Sequence, residues 1–120
     1  MAGVVRRGQY YVTRYTTGPQ DLLLMLDMEI ERINDPFVVA LSVCPINGQP
    51  EDSTVRAAVL RGADEANEML GTSWYPLEIK YWYSGYDNAR CSLMSCAAFD
   101  VVKALAERGP DGIEVVAESE

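Results

Sequence analysis

The sequence predicts an α+β domain, a two-layer sandwich whose mainly antiparallel sheet of four or five strands carries two helices on one face. Three observations lead there. Apolar residues recur at every second position in Leu22 to Ile33 and again in Leu77 to Tyr83. They recur at helical spacing from Val55 to Leu70 and from Leu93 to Leu105. Turn chemistry separates these stretches, giving the order β-β-β-α-β-α with a possible last strand. At 120 residues, of which 48% are hydrophobic, the chain is expected to be one domain over 1–120, with 1–8 and 117–120 loose.

The first strand is read over Gln9 to Thr17, which is rich in Tyr, Val and Thr, and Thr17-Gly18-Pro19-Gln20-Asp21 supplies the hairpin turn after it. In the second strand Leu22, Leu24, Leu26, Met28 and Ile30 fall on one side. Asp27, Glu29 and Glu31 fall on the other, so this strand is wet on one face. After the turn Asn34-Asp35-Pro36, the Val-rich run Phe37 to Val43, bounded by Pro45 and Gly48, reads as a buried strand.

Ser53 is placed as the N-cap of the first helix, with Glu51 and Asp52 favouring the positive end of its dipole. Its stripe is Val55, Ala58, Val59, Gly62, Ala63, Ala66, Met69 and Leu70, ending at Gly71; the small residues in the middle let the helix lie close over a sheet. In the fourth strand Leu77, Ile79, Tyr81 and Tyr83 oppose Glu78, Lys80 and Trp82. Tyr86-Asp87-Asn88 then offers a cap for a second helix with the stripe Leu93, Met94, Ala97, Ala98, Val101, Val102 and Leu105. Arg108-Gly109-Pro110 stops it, and Ile113 to Val116 reads as a short edge strand.

Composition narrows the chemistry. A formal net charge of -8, from 18 acidic and 10 basic residues, repels phosphate backbones and anionic lipid headgroups, which argues against nucleic acid as a partner. No stretch approaches the ~18 apolar residues of a membrane span, and no apolar segment follows Arg6 and Arg7, so a cytoplasmic protein is expected. Cys44, Cys91 and Cys96 are an odd number within apolar patterns, and they are read as buried thiols rather than a disulfide framework. Cys91 and Cys96 would point about 140° apart on a helix, which excludes a redox pair or a zinc knuckle between them.

With no His in the chain, Ser-His-Asp and Cys-His catalysis and all His-containing metal sites are absent. The glycines stand singly, with no phosphate-cradling loop before a helix, and no cofactor or metal is expected. Ser92 has no base beside it and reads as a capping residue. Asp27, Glu29 and Glu31 share a strand face at ~6.5 Å intervals, a spacing open to a solvated row, a cation site or a perturbed acid. Aromatic residues concentrate in the first and fourth strands. If the helices cover Leu77, Ile79, Tyr81 and Tyr83, then Trp82 and Lys80 stand on the opposite face, either at a binding surface or under the chain's own loops.

Trp74-Tyr75-Pro76-Leu77-Glu78-Ile79-Lys80, Ala97-Ala98-Phe99 and the helix Val55 to Leu70 before that strand are similar to the corresponding parts of domain IV of bacterial elongation factor G. The resemblance implies the ribosomal-protein-S5 domain-2-like fold and a translation-associated role. The family's Asp-Gly-Ser-Tyr-His stretch is absent, and no functional residue is carried over.

The function read from the residues is that of a small non-enzymatic interaction protein of inhibitor, immunity or accessory type. It is expected to bind a protein partner or itself through Tyr11, Asp27, Glu29, Glu31, Lys80 and Trp82. The alternatives are the translation-associated module and a His-free enzyme working through sheet carboxylates or Tyr.

Overall fold

In the computed structural model, which describes residues 3–18, 20–30, 42–45, 52–85 and 90–116, five strands form one sheet and two helices cover one of its faces. The strands are β1 (Val5–Arg7), β2 (Tyr10–Thr17), β3 (Gln20–Ile30), β4 (Ser42–Pro45) and β5 (Trp74–Ser84); the helices are α1 (Asp52–Leu70) and α2 (Ser92–Arg108). Their order in the sheet is β1-β2-β3-β5-β4. All neighbours are antiparallel except β4 and β5, which run parallel because α1 carries the chain back across the sheet between them. The α+β sandwich expected from the sequence is the fold observed.

Hydrophobic burial decides which side faces the helices. Leu22, Leu24 and Leu26 of β3 and Ile79, Tyr81 and Tyr83 of β5 are inaccessible or nearly so. They pack in one cluster with Val55, Ala58, Val59, Ala63 and Ala66 of α1 and with Met94, Ala97, Ala98, Val101 and Val102 of α2. Gly62 lets the two helices approach: a Cβ built there would stand 2.1 Å from the Ser95 carbonyl oxygen. The Ser95 hydroxyl donates to the Ala58 carbonyl oxygen at 2.7 Å, tying the helices together at the same level.

Several expectations are corrected. Val5–Arg7, expected loose, is an edge strand, because a turn at Gly8 (φ 62) folds it onto β2. The tail expected as an edge strand contributes a single parallel bridge, Arg6 to Val115. The Arg6 N–H donates to the Glu114 oxygen and the Val116 N–H to the Arg6 oxygen, both at 2.8 Å. Helix α1 already includes Asp52, so Ser53 lies inside its first turn rather than at the cap.

Met69 is exposed because Asn67 takes the inward position in the last turn of α1. The Asn67 amide accepts from the Trp74 N–H and donates to the Trp74 oxygen, stapling α1 to the start of β5. The cap of α2 is Cys91, in a left-handed conformation (φ 51), and Ser92 is the first helical residue. Cys91 is buried as expected, but Cys96 is exposed on the outer side of α2.

In β5 the alternation slips. A bulge opposite Asp27 and Met28 pairs Met28 with Pro76, so Pro76 turns inward and Leu77 is only half-buried. Strand β4 continues through Pro45, which the sequence suggested as a boundary. Phe37 to Leu41, residues 31–33 and the expected cap at residues 86–88 lie outside the described residues.

Candidate interaction surface

Among the described residues, no helix lies on the second face of the sheet. Pairing places residues on it in rows that cross the strands. One row is Val5, Val12, Met25 and Lys80, with Cys44 at the next register position. On one side of it lies Arg14, Leu23 and Trp82. On the other lies Arg7, Tyr10, Asp27 and Glu78, with Ser42 beyond. Glu29 and Tyr75 pair further along the strands.

Val12 is only 5% exposed yet lies outside the core cluster, consistent with its place on the face opposite the helices. Around it Val5, Tyr10, Leu23, Met25 and Trp82 are half-buried. The result is an apolar middle with charged groups towards both strand ends.

Polar contacts fix the arrangement of the charged groups. The Tyr10 hydroxyl donates to Glu78 Oε1 at 2.6 Å, and the Lys80 ammonium sits 4.6 Å from the centre of the Tyr10 ring. Hydrogen bonding to Glu78 holds the Tyr10 hydroxyl above its ordinary range, with desolvation acting the same way. Gln9 Nε2 donates to Asp27 Oδ2 at 3.0 Å. Desolvation pushes the Asp27 carboxyl up, and the like charges of Glu78 and Glu29 add to it against the opposing Gln9 bond. At the other end Arg14 and Asp21 form an ion pair at 2.7 Å, and the Arg14 hydrogen bond is the main cause holding Asp21 below its ordinary value.

Asp27, Glu29, Lys80 and Trp82, expected on this face, are placed there by the register. Tyr11 is not. It pairs with Leu26, is 5% exposed and packs in the core with the Arg6 guanidinium 5.6 Å from its ring, so it is removed from the surface. Glu31 lies outside the described residues. The sequence reading missed Val12, Leu23, Met25, Tyr10 and Arg7. The signal for Met25 and Leu23 was available, since a period of two puts them on the same side as Asp27.

A second feature is a surface depression of ≈ 520 Å³ between the helices, lined by residues that include Tyr15, Arg61, Arg90, Ser95, Phe99 and Asp100. Arg61 donates there to the Arg90 carbonyl oxygen at 3.1 Å, and burial pushes the Asp100 carboxyl up. Among the described residues no group of three or more His, Cys, Asp or Glu is placed to hold a metal ion, and no helix is long and apolar enough to cross a membrane.

Comparison with protein-family models, with curated proteins and with solved structures finds no match. The resemblance to domain IV of elongation factor G therefore rests on the sequence segments alone.

Proposed function

We infer that the protein is a small interaction protein, of inhibitor, immunity or accessory type, that binds a protein partner or itself through the open face of its sheet. The observation that carries this reading is the ring of half-buried Leu23, Met25, Trp82 and Tyr10 around Val12 on the side opposite α1 and α2. Large apolar and aromatic groups inside a polar rim are the anatomy of an interface centre. Tyr and Trp bring contact area at small entropic cost, and both occur here.

The test is affinity capture by the tagged full chain, read against its own variants. Trp82→Ala is expected to keep the wild-type circular dichroism while weakening association by more than ~1 kcal/mol, as truncations at interface centres commonly do. Met69→Ala, on the exposed side of α1, is expected to leave association unchanged. A folded Trp82→Ala chain that captures every partner of the wild type, a second copy included, overturns the reading. Should Trp82→Ala fail to fold, Met25→Lys takes its place.

A further inference from the structure

We propose that the occupant of the open face is a second copy of this chain, packed sheet to sheet about a two-fold axis running along the strands between β2 and β3. This rests on the reading that the face binds protein, and it names the partner.

The first argument is charge. Among the described residues the face carries Arg7, Arg14 and Lys80 against Asp21, Asp27, Glu29 and Glu78, three positive charges against four negative. The whole chain carries -8. Two copies of so acidic a molecule repel one another, but on this nearly balanced face the repulsion at contact is small.

The second argument is self-complementarity, which a two-fold contact requires because the same patch must serve both partners. An axis along β3 would set Asp27 on Asp27 of the second copy. An axis across the strands, through the row of Val12 and Met25, would set Asp21 against Glu29. The axis between β2 and β3 exchanges β2 with β3 and β1 with β5. It brings Arg7 opposite Glu78 of the second copy, Tyr10 opposite Asp27, and Val12 opposite Met25 at the centre. One cation, Arg7, then meets an anion at the rim and apolar meets apolar at the centre, while Lys80 stands opposite Val5 and Arg14 opposite Leu23; the Arg7 to Glu78 contact is the one that fixes register.

The third argument is area. With strands ~4.8 Å apart and ~3.3 Å per residue along each, the stretches that this axis superposes, β1 on β5 and β2 on β3, present roughly 350 Å² of flat face before the relief of side chains is counted. A standard interface takes about 800 Å² of accessible surface from each partner, so the contact is a small one and the dimer it makes is weak.

The experiment is light scattering on the full chain from about 1 μM to about 1 mM, the span of weak to moderate association. The mass is expected to rise from 13.3 kDa towards twice that value. Met25→Lys is expected to hold the monomer mass with circular dichroism unchanged. Arg7→Glu and Glu78→Arg are each expected to weaken the dimer at least about tenfold, and mixing the two variants to restore it, since each carries the charge the other lacks. A monomer mass across the whole range overturns the proposal and leaves the face reading to the Trp82→Ala capture. A dimer indifferent to Met25→Lys overturns it as well. A dimer that Met25→Lys abolishes but the mixed charge variants do not restore overturns the two-fold arrangement.

Discussion

Asp27 is the residue where the open face is most sensitive to protons. Its carboxyl is held above the ordinary 3.8 chiefly by desolvation, with Glu78 and Glu29 adding like charge. A carboxyl with a raised native pKa binds its proton more tightly folded than unfolded. Its contribution therefore favours folding at low pH and is lost as pH climbs from about 3.8 through the raised native value. Asp27→Asn keeps an oxygen for the Gln9 donor and removes the charge. It is expected to raise the melting temperature near neutral pH and to leave it unchanged at about pH 3, below both values. Thermal melts of the two proteins at those pH values decide it, and an equal shift at both would show that charge is not the cause. Asp21 behaves oppositely, because Arg14 holds it low and its contribution fades as pH falls through the native value.

At the scale of elements, the contact between α1 and α2 is set by one missing side chain. Alanine in place of Gly62 has the better intrinsic helix propensity by about 1 kcal/mol. Its Cβ, however, would lie 2.1 Å from the Ser95 oxygen and 2.8 Å from the Ser95 carbonyl carbon, both backbone atoms that move only with the helix. Forced overpacking commonly costs 1–3 kcal/mol, and so close an approach to backbone belongs at the upper end, so Gly62→Ala is expected to lower stability by about 2 kcal/mol net, measured by urea unfolding. Stabilisation instead would mean that the helices separate easily.

The elements also show what the sequence could disclose. The alternation in β3 was legible because Asp27 and Glu29 mark the wet side. The same alternation puts Leu23 and Met25 on that wet side, although the unbroken apolar run from Leu22 to Leu26 carries no polar residue to mark them. In β2, adjacent Tyr10 and Tyr11 carry no polarity signal, and only pairing with Leu26 decides that Tyr11 turns inward. In β5 the bulge moved Pro76 inward in place of Leu77, an event set by the partner strand and invisible to periodicity. Strand β1 is too short for a periodic signal, and its pairing depends on the turn at Gly8. The face was thus foreseeable through Lys80, Trp82, Asp27 and Glu29, while its apolar centre needed the register of three strands.

For the whole molecule the dominant long-range effect is its own charge. The chain spans 38 × 31 × 27 Å and carries -8. At about 0.01 M salt the screening length is ~30 Å, so charges across the entire protein feel one another; at about 0.15 M it is ~8 Å and only neighbours do. Raising salt across that interval is expected to raise the melting temperature by relieving self-repulsion. A calorimetric series in sodium chloride tests this. A melting temperature that falls with salt would mean that the Arg14 to Asp21 pair and its like outweigh the net charge.

The bridge between Arg6 and Val115 gives the protein a definite order of completion during synthesis. Strand β1 leaves the ribosome before the other strands and both helices, and the backbone groups of Arg6 that pair with Glu114 and Val116 wait for residues made only after all of those elements. Until those residues emerge, that margin of the sheet stands open to any extended chain nearby, the setting in which strands from neighbouring molecules join wrongly. The nascent chain is therefore most vulnerable to misassembly in the interval before Val116 emerges, and slow translation between α2 and Val116 would lengthen it.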